Sequence, residues 1–86
     1  MQPVTVFTQP RCGFCTAALR LLSAKGAPIE EIDVAATPGA RAQMMQRAQG
    51  RHTTPQIFVG STHVGGCDDL FALERAGRLD GLLRGA

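Results

Sequence analysis

The sequence predicts an α/β domain in which a mixed four-stranded sheet is flanked by helices. Stretches rich in β-branched and aromatic residues alternate with helix-forming stretches in the order β-α-β-α-β-β-α. A helix between the first two strands implies that these strands run parallel. The dipeptide Gly60-Ser61 predicts a tight hairpin between the last two strands, which makes that pair antiparallel.

The first half of the chain is predicted to supply two strands and one helix. Val4–Thr8 is β-branched and aromatic, as is typical of a strand, and Pro10 lies just after it. Cys15–Lys25 is rich in helix formers with apolar residues at helical spacing, and Gly26 is expected to end this helix. Alternating apolar positions over Ile29–Val34 predict the second strand.

The middle of the chain is predicted to form a helix followed by a hairpin. Thr37 is expected to cap the helix, with Pro38 at its first position and Ala40–Gln49 as its body. Gln56–Val59 and Thr62–Val64 are the expected third and fourth strands.

The last part of the chain is predicted to be helical. A third helix is expected over Asp68–Ala76, ended by Gly77, and Leu79–Arg84 is expected to add one or two turns. The tail Arg84-Gly85-Ala86 is expected to fray. No linker or repeat interrupts the pattern, so residues 1–86 are predicted to form a single domain.

Composition narrows the class of protein. The 86 residues carry a net charge of +2 and include neither Trp nor Tyr, which argues against a nucleic-acid partner. No apolar run reaches the length of a membrane span, and the N-terminus does not resemble a signal peptide, so we expect no membrane partner. Three cysteines do not suit a disulfide-stapled secreted domain, which favours a cytoplasmic location and a reactive or metal-binding cysteine pair.

The motif Cys12-Gly13-Phe14-Cys15 is the strongest chemical signal. It lies where the first strand leads into the first helix, so the free N–H groups and the dipole of the helix start favour a thiolate at Cys12. Arg11 adds a neighbouring positive charge. Cys15 lies one turn further in, where its sulfur can still reach Cys12. The motif therefore predicts a redox-active dithiol in which Cys12 attacks and Cys15 resolves.

Two other interpretations of the cysteine pair remain open. The pair could form half of a zinc site completed by His63 and Cys67, although no second C-x-x-C is present. It could also be a pair of buried structural thiols.

The chain resembles a glutaredoxin of the small bacterial dithiol type. Three blocks in the same order carry the resemblance: Cys12–Cys15, then Thr53–Phe58, then Gly65–Leu70. The resemblance implies a thioredoxin-like fold, electron transport, and glutathione-dependent reduction of glutathionylated and disulfide-bonded proteins. It implies glutathione as co-substrate and a monomer without a metal.

One departure from the dithiol pattern points to an alternative. Gly13-Phe14 stands where the common dithiol glutaredoxin has Pro-Tyr, and Gly-Phe is typical of monothiol relatives that carry iron–sulfur clusters. The alternative function is a carrier or sensor of a [2Fe–2S] cluster. Two chains and two glutathione molecules would then hold the cluster through each Cys12, which requires a dimer.

The resemblance also implies the residues that contact glutathione. The Thr54–Pro55 bond is expected to be cis and to face the thiols, with the backbone of Thr54 open to an extended substrate. Gln9 and Arg51 are expected at the glycine-end carboxylate. Bare N–H groups at the third helix start suit the γ-glutamyl carboxylate, and an aspartate suits its ammonium. The full expected set is Gln9, Arg11, Phe14, Arg51, Thr54, Pro55, Gly66, Cys67, Asp68 and Asp69.

Several of these residues also have a simpler explanation. Pro55 could begin a strand, an aspartate could merely cap a helix, and Arg51 could be a solvated surface cation. Cys67 is expected to be a small packed residue, because free cysteine is usually buried. His52 and His63 are expected to face solvent or a strand edge.

Overall fold

The computed structural model describes residues 1–85 and confirms the predicted order of elements, with the predicted last turns forming a separate helix. The eight elements are β1 (Val4–Thr8), α1 (Gly13–Ala24), β2 (Ile29–Asp33), α2 (Ala40–Arg47), β3 (Gln56–Val59), β4 (Thr62–Gly65), α3 (Cys67–Arg75) and α4 (Leu79–Arg84). The expectation of a frayed tail is wrong for Arg84, which is helical, and for Gly85, whose N–H donates to Leu82 O. Ala86 was also expected to fray and to belong to the domain, but it lies outside the described residues.

The four strands form one mixed sheet in the order β2-β1-β3-β4. β1 and β2 are parallel, as the helical crossover predicts, and Val4 pairs with Ile29. β3 runs antiparallel to both β1 and β4. Val59 pairs with Thr62, so Gly60-Ser61 is a two-residue hairpin turn, as predicted. This topology places the end of β1 beside the start of β3, and the cysteine motif follows the end of β1.

The sheet has a packed layer on each face, because successive side chains of a strand point to opposite sides. On one face α1, α3 and α4 contribute to the larger core cluster, whose buried members are Val4, Val6, Ala18, Leu22, Ile57, Val59, Leu70, Leu79 and Leu83. On the other face α2 contributes to a smaller one, formed by Phe7, Val34, Ala40, Met44, Ala48 and Phe58. The helices therefore flank the sheet on both sides, as expected.

The predicted cap of α2 is wrong. The N-cap is Gly39 in the left-handed conformation (φ 78°), without a side-chain hydrogen bond, and Pro38 precedes the helix. Asp33 closes the turn after β2: its carboxylate accepts from Ala35 N–H at 2.8 Å, and its carbonyl accepts from Thr37 N–H at 3.0 Å. Thr37 is thus part of this turn, and the helix begins only after it.

Element boundaries differ from the predictions by one or two residues. α1 begins at Gly13, two residues before the predicted start, and α3 begins at Cys67, one residue before it. α2 ends at Arg47 because Gln49 adopts a positive φ of 58°, which an α-helix does not accommodate. The two early starts make Cys12 the N-cap of α1 and Gly66 the N-cap of α3.

Within residues 1–85, no helix combines the length and the apolar character needed to cross a membrane.

Candidate active site

The two cysteines of the motif differ in position and access. Cys12 is the N-cap of α1, and its Sγ accepts a hydrogen bond from the backbone N–H of Cys15 at 3.1 Å. The two cysteines form a disulfide, with their Cα atoms 5.2 Å apart. Cys15 is 3% exposed, whereas Cys12 is partly exposed. An external thiol or disulfide therefore meets the sulfur of Cys12 first.

The segment before β3 lies against the sulfur of Cys12. The Thr54–Pro55 peptide bond is cis, as predicted. The Thr54 hydroxyl donates to Cys12 Sγ at 3.7 Å, and the Thr54 carbonyl oxygen lies 3.7 Å from the same sulfur. Pro55 is buried behind it.

A pocket of about 290 Å³ lies between the start of α1, the segment before β3 and the start of α3. It brings together eight of the ten residues predicted to contact glutathione. They are Phe14, Arg51, Thr54, Pro55, Gly66, Cys67, Asp68 and Asp69, and Thr53 also lines the pocket. Phe14 is 66% exposed, so the pocket has an apolar rim beside the disulfide.

The charged side of the pocket is an ion pair. Asp69 Oδ2 accepts from the backbone N–H of Gly66 at 2.9 Å and pairs with Arg51 Nη1 at 3.2 Å. The Gly66 N–H, followed by Arg51, holds the pKa of Asp69 below its usual value. Gly65 has a φ of 114°, and a Cβ on it would collide with Asp69 Oδ2, so this close approach requires glycine.

Gln9 and Arg11 do not line this pocket. Gln9 is exposed, and its Oε1 accepts from Arg41 Nη2 of α2 at 3.0 Å. Arg11 is exposed and has a positive φ of 58°. Arg41 is not recognisable from the sequence as a neighbour of Gln9, because nothing in its spacing places it beside the residue that follows β1.

The zinc site of the sequence analysis does not assemble. Among residues 1–85, no group of three or more His, Cys, Asp or Glu side chains could hold a metal ion. Cys67 is partly buried at the start of α3, and burial, together with the charge of Asp68, raises the pKa of its thiol. His63 lies in the edge strand β4, as expected, but its ring stacks on Phe58.

A chain of hydrogen-bonded polar side chains beside the pocket is not predictable from the spacing of residues in the sequence. Gln56, fully buried in β3, accepts from His63 Nε2 at 2.7 Å and donates from its own Nε2 to Thr53 Oγ1 at 3.2 Å. The one available signal was a glutamine in an otherwise apolar strand.

Comparison with known proteins points to one family. The sequence model of the family Glutaredoxin matches residues 4–64. A glutaredoxin of Pseudomonas aeruginosa is 51% identical over 83 residues, which cover 96% of this chain and 98% of that protein. A glutaredoxin of Neisseria meningitidis serogroup A is 54% identical over 84 residues, with 96% and 98% covered.

Solved structures agree in fold. The buckwheat glutaredoxin–glutathione complex matches with a TM-score of 0.88 and 30% identity, covering 98% of this chain and 78% of that one. Brucella melitensis glutaredoxin has a TM-score of 0.82 and 57% identity, with 96% and 89% covered. A structure from work on metal binding of glutaredoxins has a TM-score of 0.71 and 55% identity, with the same coverage. These similarities establish the thioredoxin-like fold and, with the paired Cys12 and Cys15, show that the chain belongs to the glutaredoxin family.

Proposed function

We propose that this protein is a glutathione-dependent thiol–disulfide oxidoreductase in which Cys12 is the nucleophile and Cys15 the resolving thiol. One observation carries the proposal. Cys12, which is partly exposed at the start of α1, is bonded through its sulfur to a buried Cys15 and lies beside a pocket with a charged side at Arg51 and Asp69.

The first route uses Cys12 alone. The Cys12 thiolate attacks the glutathione sulfur of a protein–glutathione mixed disulfide, and the protein leaves as a thiolate that takes up a proton. The thiolate of a second glutathione then attacks the glutathione sulfur bound to Cys12. This step forms glutathione disulfide and releases the Cys12 thiolate. The start of α1 and the Cys15 N–H, which already donates to Cys12 Sγ, stabilise that anion.

The second route uses both cysteines and reduces a protein disulfide. Cys12 forms a mixed disulfide with one substrate sulfur and releases the other as a thiol. Cys15 then loses its proton and attacks Cys12, which frees the second substrate thiol and leaves the Cys12–Cys15 disulfide present in this structure. Two glutathione molecules reduce that disulfide and become glutathione disulfide.

The pocket suits the chemistry of glutathione. Glutathione carries a carboxylate at each end and an ammonium at the γ-glutamyl end. We assign the ammonium to Asp69 and the γ-glutamyl carboxylate to the N–H groups of Cys67 and Asp68 at the start of α3. Arg51, which lines the same pocket, is assigned to the glycine-end carboxylate. The buckwheat relative solved in complex with glutathione supports glutathione as the ligand of this proposal.

Gln9 and Arg11 remain part of this proposal at the outer edge of the site. Both are exposed beside the start of α1 and do not line the pocket. We assign Gln9 to the glycine end of glutathione through its amide.

Cysteine variants test the mechanism. Cys12→Ser is expected to abolish reduction of a glutathionylated peptide in a glutathione-coupled assay, because the other thiol of the motif, Cys15, is only 3% exposed. Cys15→Ser is expected to keep much of this activity but to lose reduction of a protein disulfide. Cys67→Ser, which removes the third thiol, is the control. An active Cys12→Ser variant, or an activity that does not depend on glutathione, would contradict the proposal.

A second candidate function is the glutathione-ligated [2Fe–2S] cluster carrier or sensor. Iron–sulfur clusters are held by four thiolates, and residues 1–85 contain no group of three metal ligands, so one chain cannot hold a cluster alone. The partly exposed Cys12 fits as this chain's single ligand, with a second copy and two glutathione molecules completing the set. A bound cluster would supply one-electron redox chemistry or stored iron and sulfide.

The relative studied for metal binding supports keeping this candidate. Anaerobic reconstitution with iron, sulfide and glutathione should give a brown dimer if the chain is a carrier. A colourless monomer under the same conditions, with Cys12→Ser as the control, would argue against it.

The proposal also covers partners and location. We assign the activity to one domain, residues 1–86, acting as a monomer on glutathionylated and disulfide-bonded proteins. We place it in the cytoplasm, where glutathione keeps thiols reduced.

A further inference from the structure

Gln56 is the most unusual residue of the sheet. It is 0% exposed and lies in β3 between Pro55 and Ile57, where an apolar side chain would pack without needing a hydrogen-bond partner. Burial of an unpaired amide is costly, so a buried glutamine is stable only when both ends of its amide are bonded. Both ends of the amide are bonded here. One partner is in the neighbouring strand β4, and the other is in the segment that precedes β3.

On one side the partner is His63 of β4. Its Nε2–H donates to Gln56 Oε1 at 2.7 Å, and its ring stacks on Phe58 with ring centroids 4.8 Å apart. Burial, together with the charge of Arg51, lowers the pKa of His63, which favours the neutral ring in this role. The pairing of β3 and β4 and the stacked ring therefore fix the position of the amide of Gln56.

On the other side the partner is Thr53, in the segment that faces the thiols. Gln56 Nε2 donates to Thr53 Oγ1 at 3.2 Å. The next residue, Thr54, places its hydroxyl and its carbonyl oxygen 3.7 Å from Cys12 Sγ. Thr53 has no regular secondary structure to hold it, so its side-chain bond to Gln56 is a direct tether from the sheet to this segment.

We propose that Gln56 is a positioning residue, which, anchored by His63, holds Thr53 and thereby sets Thr54 against the sulfur of Cys12. When the segment before β3 is held in place, the Thr54 hydroxyl already faces the sulfur of Cys12. The segment then does not need to move during the attack. Gln56 does not touch Cys12 in this chain of contacts and acts through Thr53 and Thr54. This inference rests on the proposed role of Cys12 as the attacking thiol.

The test measures the attack of Cys12 on a small aromatic disulfide that lacks glutathione. All variants are made in a Cys15→Ser/Cys67→Ser background, so that Cys12 is the single thiol. Each attack forms a mixed disulfide with Cys12 and releases one coloured aromatic thiolate, whose absorbance gives the rate. Gln56→Met keeps the volume of the side chain and removes the amide. Thr53→Val removes the hydroxyl, and Thr53→Ser restores it.

We expect Gln56→Met and Thr53→Val each to slow the attack about two- to tenfold, the range that corresponds to one lost hydrogen bond. The double variant should be no slower than the slower single variant, because both changes break the same bond. Thr53→Ser should recover most of the rate. Val59→Ala, at the far end of the same strand, destabilises the core cluster without touching the chain of hydrogen bonds and should leave the rate unchanged.

Two results would overturn the inference. One is an unchanged rate in Gln56→Met or Thr53→Val. The other is a rate that falls in Val59→Ala as much as in Gln56→Met at the same loss of folding stability. Because the probe contains no glutathione, a failure of the proposed glutathione dependence would appear in the peptide assay and not in this one.

Discussion

At the scale of single residues, the two charged side chains Arg51 and Asp69 of the pocket form an ion pair with each other. Arg51 and Asp69 pair at 3.2 Å, and each side chain is about half exposed (48% and 49%). Glutathione carries both an ammonium and carboxylates, so it can replace each partner with a charge of the same sign. Exchange of one exposed ion pair for another costs little, since such pairs contribute at most about 1 kcal/mol. The ion pair therefore places both charges at the solvent-exposed side of the pocket, and a ligand with charges of both signs can displace it at little cost.

The assignment of Asp69 gives a prediction about substrate choice. Asp69→Ala is expected to lower kcat/KM for a glutathionylated peptide about ten- to hundredfold, because a lost charged hydrogen bond costs about 1.5–3 kcal/mol. Attack of Cys12 on a small disulfide without glutathione should stay nearly unchanged. Parallel kinetics on the two substrates make the measurement.

Asp68→Ala is the matched control for Asp69→Ala, since it removes the same charge from the same helical turn. If Asp68→Ala lowers the rate equally, the effect is one of net charge and not of a specific contact. If Asp69→Ala slows both substrates alike, Asp69 acts on the thiol or the fold and does not recognise glutathione.

At the same scale, the sequence was sufficient for the residues whose role depends on local position. Cys12 and Cys15 follow from a motif at a strand–helix junction, and the cis Thr54–Pro55 bond follows from the family resemblance. The pairing of Arg51 with Asp69 and the role of Gln56 depend on contacts between elements that are far apart in sequence. No spacing rule predicts such contacts, because strand pairing and the packing of α3 decide them.

At the scale of elements, two helix starts form the site, and each uses its first turn differently. Cys12 caps α1 with its sulfur, which accepts from the third residue of the helix. At α3 the N-cap is Gly66, which has no side chain, and Asp69 in the first turn accepts the Gly66 N–H instead. The first start therefore favours a thiolate, whereas the second keeps a carboxylate ionised.

The carboxylate at the start of α3 predicts how stability depends on pH. The pKa of Asp69 is lowered in the folded state, first by the Gly66 N–H and then by Arg51, from an ordinary value of 3.8. Its contribution to stability is therefore fully present above pH 3.8 and is lost as the pH falls through the lowered pKa.

We expect Asp69→Asn to be less stable than the wild type at pH 7 by no more than about 1 kcal/mol, since the side chain is half exposed. The difference should shrink as the pH falls below 3.8. Urea unfolding at pH 7, 4 and 2.5 measures it, with Asp68→Asn for comparison. A difference that stays constant down to pH 2.5 would mean that the charge of Asp69 does not stabilise α3.

The element scale also shows where sequence patterns fail. Every strand and helix is predictable from the sequence. The spacing of apolar residues follows the period of each element, because one face of each element is buried in the core. The cap of α2 is not predictable in this way, since Thr37-Pro38 matches a common helix start while Asp33 draws Thr37 into the preceding turn. A competing hydrogen-bond acceptor four residues earlier in the chain decided the start of that helix.

At the scale of the whole molecule, α4 joins the two ends of the chain to the core. Leu79 and Leu83 are buried in the larger core cluster, and Gln2 N–H donates to Leu83 O at 2.7 Å. Two salt bridges also connect α4 to its neighbouring helices. Lys25 Nζ, just after α1, lies 2.9 Å from Glu74 Oε1 of α3 and 2.8 Å from Asp80 Oδ1 of α4. One ammonium therefore links three helices on the same face of the sheet.

This link gives a prediction about salt and pH. The hydrogen bonds to Asp80 and Glu74 raise the pKa of Lys25 above its usual 10.5, and Lys25 in turn lowers the pKa of Asp80. A raised pKa means that the contribution of Lys25 is complete below pH 10.5 and is lost as the pH rises through the raised value. Lys25→Met should therefore lower the melting temperature at pH 7 and low salt. The difference from wild type should shrink at 1 M NaCl, where the Debye length falls to about 3 Å.

Arg20→Met is the control for Lys25→Met, because it removes an exposed cation from the body of α1, whereas Lys25 follows the end of that helix. If the two variants lose the same melting temperature at every salt concentration, the net charge of the molecule and not the link to Glu74 and Asp80 sets the effect. If Lys25→Met alone responds to salt, the three-helix contact stabilises the packing of α4. Because Lys25, Glu74 and Asp80 do not line the pocket beside Cys12, the variant should keep its rate on the glutathionylated peptide below its melting temperature.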